Sequence, residues 1–356
     1  MIVFQKRKKN FFLDQVKSRY LRSLNFFDRL IFVFNSLAAS LLLFSYILKF
    51  LPPQTFKLIS ILSLFVPLLL FLNLFFCLYW LIKFKRQILL SLLVLGICFS
   101  DIRLFINFNL NSDLSDGNLV DVMSYNVHLL NIYGWIDTDD VPLKLETFIK
   151  TESPDILCIQ EFESSIPLEL NYEYSFAPEP NNKSELLIFS KFPIIKTGII
   201  EFEKSSNRAI FCDLKVRSDT IRVYNVHLQS TGIIPGDVSF NAENTERVSK
   251  RLSSSFVVQQ IQAEKIYSHM KSSPYKNILC GDFNNTAHSY TYQIISSEMK
   301  DSFRQAGNGF GRTFDFDYFP LRIDFILADS SFEIISHKTF PVKYSDHFPI
   351  SSTIKY

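Results

Sequence analysis

The sequence predicts a chain in two parts, an all-α transmembrane region followed by an α+β domain of layered sheets. Three observations carry this. Long apolar runs crowd the first third, short apolar runs bounded by turn residues fill the rest, and charge divides at the same place. Residues 1–109 hold 14 Lys/Arg against 3 Asp/Glu, a net +11, whereas residues 110–356 hold 23 against 32, a net −9. The overall charge of +2 therefore sums two unlike halves. The polar stretch NLNSDLSDGN at 109–118 reads as the linker between them.

Residues 1–29 form a basic segment with Lys6, Arg7, Lys8, Lys9, Lys17, Arg19, Arg22 and Arg29. Within it FFLDQVKSRYLRSLNFF is either a basic amphipathic helix on the inner leaflet or a plain positive tail. A bilayer core takes ~20 apolar helical residues, and two runs, 30–51 and 58–82, meet that length. LPPQTF between them is a turn, so the two make a helical hairpin. A third run, 88–108, is interrupted by DIR at 101–103 and is taken as a third span, the alternative being an interfacial helix. Basic residues precede the first span and recur as Lys83, Lys85 and Arg86 after the second, which puts the N terminus in the cytoplasm. Three crossings then carry the rest of this multi-pass chain to the extracytoplasmic side. The first span has no A-x-A-like exit and reads as an uncleaved anchor.

The α+β domain occupies 119–356. Strands are expected at LVDVMSYNVHLL, DILCIQEF, SELLIFSKFPI, AIFCDLKV, TIRVYNVHLQS, KNILCGDFNN, RIDFILA and FPISSTIKY. Helices are expected at VPLKLETFIKTESP, at NTERVSKRLSSSFVVQQIQAEKIYSHMKSSP and at SYTYQIISSEM. Strands with interspersed helices point to layered α and β structure rather than a bundle or a pure sandwich. The five cysteines show no CxxC and read as small buried hydrophobes. GNGFGR at 307–312 reads as a flexible surface loop.

Several strands end in carboxylates, amides or imidazoles. Glu161 closes DILCIQE, Asp282 and Asn284 close ILCGDFN, Asp324 lies in RIDFIL, and Asp346 and His347 precede the last strand. The pentapeptide YNVHL occurs twice, at 125–129 and 224–228, delivering Asn126 with His128 and Asn225 with His227. Side chains alternate along a strand, so Asn126 and His128 share a face with Ser124, and Asn225 and His227 share one with Gln229. Carboxylate and amide oxygens suit a hard cation such as Mg²⁺, which keeps open positions for a substrate phosphate. A histidine oriented by an aspartate can pass a proton or steady a phosphoryl oxygen. Taken singly, each residue is an ordinary turn or cap; together and in order they point to one site. Zinc-protease, GxSxG hydrolase and P-loop motifs are missing.

The blocks SYNVH, IQE, NVHLQS, GDFNN, RIDFIL and SDHFPI, in this order over 119–356, resemble the endonuclease/exonuclease/phosphatase superfamily of DNase-like hydrolases. The resemblance implies a four-layer α/β/β/α sandwich with an internal two-fold and a site where the sheets meet. It implies Glu161 as the principal Mg²⁺ ligand (Mn²⁺ being possible), with Asn126 beside it and Asp346 supporting the metal side. It implies Asp282 as the group that orients or deprotonates the attacking water, and Asn284 as a holder of water and phosphate. His227 would contact the scissile phosphate, and His347, held by Asp324, would stabilise the transition state or act as acid/base. Arg208 is a weaker candidate for phosphate contact. The two YNVHL strands are expected at related places in the two halves.

The expected activity is metal-dependent hydrolysis of a phosphodiester, or of a phosphomonoester, by an activated water. Nucleic acid and a lipid headgroup both remain open as substrate. The net −9 of the second half counts against nucleic acid, and the membrane tether favours lipid. A non-catalytic relative that binds phosphate or a partner is the competing class, and no obligate protein partner is expected.

Overall fold

The computed structural model describes residues 24–109, 117–178, 185–203, 205–232, 242–316 and 320–356. The basic segment before residue 24 and linker residues 110–116 lie outside them. The described chain divides into two compact units, one of residues 24–48 and 62–102, the other of 49–61 and 103–356.

The first unit is helical. Helix α1 (Phe26–Leu48) is followed by a 3₁₀ segment, Ile59–Phe65, that runs into α2 (Val66–Ile82); α3 (Ile88–Ile97) and α4 (Phe99–Phe105) come next. Phe26–Leu48 and Ile59–Ile82 are each long and apolar enough to cross a membrane. Asn35 ties three helices together. Its Nδ2 donates to Ser91 Oγ on α3 at 2.7 Å, and its Oδ1 accepts from Trp80 Nε1 on α2 at 2.8 Å. A polar side chain used this way bonds helices where hydrophobicity cannot drive them together. The expected continuous helix over 88–108 is corrected: α3 and α4 bend by 70° at Cys98, so they make one crossing only as a pair.

The second unit begins with β1 (Ile106–Phe108) and β2 (Leu119–Asn126), then α5 (Val141–Glu152) and β3 (Ile156–Phe162). Next come β4 (Tyr174–Phe176), β5 (Glu185–Ser190), β6 (Ile194–Glu201), β7 (Arg208–Val216) and β8 (Asp219–His227), and α6 (Ala242–Lys271) returns the chain to β9 (Lys276–Asp282). It finishes with α7 (Tyr290–Ile295), β10 (Met299–Asp301), α8 (Ser302–Ala306), β11 (Asn308–Phe310), β12 (Asp324–Asp329), β13 (Glu333–Thr339) and β14 (Ile350–Lys355).

Two six-stranded sheets result, ordered β13-β14-β2-β3-β5-β4 and β10-β12-β9-β8-β7-β6. Their strands alternate, so each buries both faces. The inner faces meet in a core of Val120, Val122, Ile156, Cys158, Val223, Ile278, Cys280 and Ile326, among others. The outer face of the first sheet, with Met123, Tyr125, Leu157 and Ile159, packs on Leu145 and Ile149 of α5. The outer face of the second, with Tyr224, Val226, Leu279 and Leu327, packs on Ala263 and Ile266 of α6 and on Ile295 of α7. Each such aliphatic side chain contributes roughly 1.5–3 kcal/mol on burial, and the layers run α/β/β/α. All five cysteines are free and buried.

Each sheet holds one parallel strand pair joined by a helix, β2–α5–β3 in the first and β8–α6–β9 in the second. The two YNVHL segments close the first strand of each pair, so the repeated pentapeptide marks equivalent places in two topologically matched halves.

Two expectations near the linker are corrected. Residues 103–109 pack with the second unit rather than with the transmembrane region: β1 pairs antiparallel with β11, Asn107 Nδ2 donates to the carbonyls of Phe303 and Arg304 at 2.9 Å each, and Arg322 Nε donates to Leu104 O at 3.2 Å. The stretch expected as a flexible loop at 307–312 therefore contains a paired strand, because its backbone finds a partner at residues 106–108, far away in sequence.

Candidate active site

The inner faces of the sheets turn from apolar to polar at their strand ends. Along β2 the core residues Val120 and Val122 are followed in phase by Ser124 and Asn126. Along β8 Ile221 and Val223 lead to Asn225 and His227, along β9 Ile278 and Cys280 lead to Asp282, and on β12 Asp324 precedes Ile326 in the same phase. Strand alternation thus delivers four of the expected residues to one place.

Glu161 arrives differently. On β3 the inner residues are Ile156 and Cys158, so strict alternation turns position 161 outward with Leu157 and Ile159. The β3–β5 register shifts after the Ile159–Leu187 pair, leaving Gln160 and Glu161 opposite one residue, Leu186. Glu161 sits in this bulge with a left-handed φ of 51°, and its carboxylate turns inward.

The resulting cluster is tight. Asn126 Nδ2 donates to Glu161 Oε1 at 3.0 Å and to Asp282 Oδ2 at 3.1 Å. His227 Nε2 lies 3.4 Å from Glu161 Oε1 and 3.8 Å from Asp282 Oδ2. His347 Nε2 lies 3.7 Å from the same Asp282 oxygen, while its Nδ1 meets Asp324 at 2.9 Å. Asn284 donates to Asp282 twice, through its backbone N–H at 2.7 Å and its Nδ2 at 3.2 Å. The GDFNN turn that arranges this is constrained. Gly281 has φ +143° and sits so close to β8 that a Cβ would lie 2.0 Å from Val226 O, so only glycine fits.

Electrostatics separates the roles. Burial, reinforced by the Asp324 carboxylate, pushes the Asp282 carboxyl up to about 6, against the opposing pull of His347, His227 and the Asn284 N–H. Burial depresses His347, but the Asp324 and Asp282 carboxylates outweigh it and raise the imidazole to about 10. At neutral pH His347 is then an imidazolium with both nitrogens as donors. A carboxylate near neutrality beside a fixed cation is the pairing that general-base chemistry uses.

Two groups bring potential metal ligands within 4.8 Å of one another: Glu161, His227 and Asp282, and Asp282, Asp324 and His347. In the second, His347 Nδ1 is already engaged by Asp324 at 2.9 Å. The first offers two carboxylates on the polar seam and fits a hard divalent cation, whose charge would offset the repulsion between them.

Two residues expected on the metal side sit otherwise. Asn126 turns its amide nitrogen, not its oxygen, toward Glu161 and Asp282, because its Oδ1 accepts the His128 N–H at 3.0 Å. Asp346 pairs with His128 Nδ1 at 3.0 Å, and although burial opposes it, that hydrogen bond and the His347 charge hold its carboxyl below the usual range. His128 stacks on Trp135, with centroids 4.0 Å apart and planes at 4°. Arg208 begins β7 and is half-buried.

Other contributors had little signal in the sequence. Ser345 Oγ donates to Asn126 O at 2.8 Å and accepts the His347 N–H at 3.1 Å, locking two site segments together. Thr313 Oγ1 accepts the N–H groups of Ile323 and Asp324 at 3.0 and 3.1 Å and so fixes the segment that delivers Asp324. Ser345 adjoins the SDH block, but nothing near Thr313 marks it.

A model of the Endonuclease/Exonuclease/phosphatase family matches residues 108–347. A model described as a domain of unknown function, DUF8431, matches residues 28–105. No curated protein matches. Among solved structures, D. rerio TDP2 humanized by 14 mutations is 15% identical with a TM-score of 0.52, covering 67% of this chain and 100% of that one. D. rerio TDP2 complexed with single strand DNA product is also 15% identical, with a TM-score of 0.51 and coverage of 67% and 99%. An endonuclease/exonuclease/phosphatase from Beutenbergia cavernae DSM 12333 is 16% identical, with a TM-score of 0.51 and coverage of 67% and 72%. At such identities the likeness is one of fold.

Proposed function

Because the chain belongs to the endonuclease/exonuclease/phosphatase family, we propose that it is a membrane-anchored, divalent-cation-dependent hydrolase of phosphodiester bonds. The observation that carries this reading is the convergence of Glu161, His227, Asp282 and the His347–Asp324 pair from both sheets onto one seam.

Glu161 would hold Mg²⁺ or Mn²⁺, which supplies charge neutralisation at the phosphate's non-bridging oxygens. Asp282, raised to about 6, takes a proton from the attacking water. Asn284 Nδ2 and the backbone N–H beside it fix the carboxylate that does so. The His347 imidazolium presents Nε2–H to the negative charge that develops on phosphorus-bound oxygen, and Asp324 holds the ring through Nδ1. His227 offers Nε2 to the same phosphate. Asn126 positions the two carboxylates through its amide nitrogen.

A solved neighbour complexed with single strand DNA product supports a nucleic-acid phosphodiester. The two helices apolar enough to span a membrane favour a second reading, a lipid headgroup phosphodiester, since a tethered site meets lipid at high effective concentration. With the bent α3–α4 pair as a third crossing, we place the N terminus in the cytoplasm and the hydrolase unit outside it.

Purified full-length protein offered plasmid DNA, sphingomyelin, phosphoinositides and bis-p-nitrophenyl phosphate tests the reading. Turnover with Mg²⁺ that EDTA abolishes and Asp282→Ala removes is expected; turnover indifferent to both ends the metal mechanism. Turnover on none of them, with retained phosphate binding, identifies a non-catalytic relative. Protease protection of the second unit in sealed right-side-out vesicles would reverse the orientation.

A further inference from the structure

We infer that Asn225, the asparagine of the second YNVHL, is a positioning residue that holds Glu161 in its inward orientation. The inference rests on the reading of Glu161 as a metal ligand. Asn225 lies on β8 of the second sheet, fully buried, and does not touch the acidic cluster. Its side chain crosses to the first sheet instead. Nδ2 donates to Ile159 O at 2.7 Å and to Leu187 O at 2.8 Å, and Oδ1 accepts from Gln160 Nε2 at 2.7 Å.

Those partners are not arbitrary. Ile159 and Leu187 form the last regular pair of the β3–β5 ladder before the bulge, and Gln160 is the first bulged residue. The two carbonyls belong to the pair that flanks the bulge, so a buried amide bonded to both ties β3 to β5 at the point where the regular register ends. The Asn225 amide supplies both donors, and Gln160, also bonded to Ser124 Oγ at 3.2 Å, fixes the amide's orientation. The next residue is Glu161, at a left-handed φ that a non-glycine residue keeps only when its surroundings over-determine it. Without the bulge, strand alternation turns the carboxylate to the α5 face.

The pentapeptide thus serves two ends. In its first copy Asn126 touches the acids directly; in its second, Asn225 reaches beneath them and sets the backbone that carries one of them.

Full-length Asn225→Leu removes both N–H donors at similar volume, and Asn225→Ser is a smaller alternative. Mn²⁺ binding by calorimetry and turnover of bis-p-nitrophenyl phosphate are read together. Each folded variant is expected to bind Mn²⁺ at least tenfold more weakly and to lose kcat more than KM changes. In a Glu161→Gln background, Asn225→Ser should cost little further turnover, since the group it positions is already gone. Wild-type Mn²⁺ affinity in a folded variant overturns the inference, as do losses that multiply in full with Glu161→Gln. Should neither Asn225 variant fold, Gln160→Met carries the test: weakened Mn²⁺ binding supports the clamp and unchanged binding overturns it. Failure of the wild-type protein to bind Mn²⁺ ends the metal-dependent reading and this inference together; binding that the variants leave unchanged ends this one alone.

Discussion

Asp282 accepts hydrogen bonds from two asparagines and faces two histidines, so its substitution removes the group on which the seam's donors converge. Asp282→Asn and His347→Gln should each lower kcat by about a hundredfold or more, the usual range for losing a proton-transfer or charge-stabilising group. Circular dichroism should remain that of the wild type. Away from the site, His337 is half-buried, its ring packed against Phe303 and its Nδ1 2.8 Å from Ser302 Oγ. Burial depresses it to about 4, with Arg322 adding to the effect and Asp301 opposing it. In the unfolded chain it titrates near the ordinary histidine value of 6.5. Below that pH the unfolded state takes a proton that the folded state refuses until about 4, so stability is lost as pH falls through this window. The loss should reach up to about 3 kcal/mol. Melting temperatures at pH 7 and pH 4.5 should differ less for His337→Gln than for the wild type; an equal fall in both sinks this assignment.

Among the elements, the β9 turn and the bulge in β3 matter most for the seam. Gly281 has β8 backbone where a side chain would go, and no flexible atom can yield. Gly281→Ala should therefore cost about 2–4 kcal/mol through overpacking and strained backbone. For a unit of this size that lowers Tm by roughly 5–10 °C in calorimetry, and an unchanged Tm would contradict the close approach. Most strands and helices were legible because their signals are local: β2, β8 and β9 are apolar runs with polar ends, and α5 and α6 follow helical periodicity. The short β1 and β11 were not, since three residues carry no periodicity and each exists only through pairing with the other.

For the molecule as a whole, the second unit takes in residues 103–109, before the linker, as well as 49–61. Arg322 illustrates why. It is buried, donates Nη1 to both carboxylate oxygens of Asp301 at 2.8 and 3.0 Å, and donates Nε to Leu104 O. A soluble fragment beginning at residue 119 loses β1, the Asn107 bonds and that carbonyl. It should be less stable than one beginning at 99 by about 2 kcal/mol or more, given what unmade buried hydrogen bonds cost. Urea midpoints of the two fragments check this, and equal midpoints would make 103–109 a mere linker.

Composition and periodicity were enough to establish the apolar helical region, the layered α and β unit and the placing of Asn126, His227, Asp282 and Asp324 at or near strand ends. Each of these follows from the chemistry of a residue and its nearest neighbours in the chain. The inward turn of Glu161, the amide nitrogen that Asn126 presents, the Asp346–His128 pair and the end of the third helix were decided by packing. A bulge needs a partner strand to oppose it, and here the pair that flanks it is held by donors from Asn225 on the opposite sheet. No local pattern in β3 encodes a side chain that arrives sixty-six residues later.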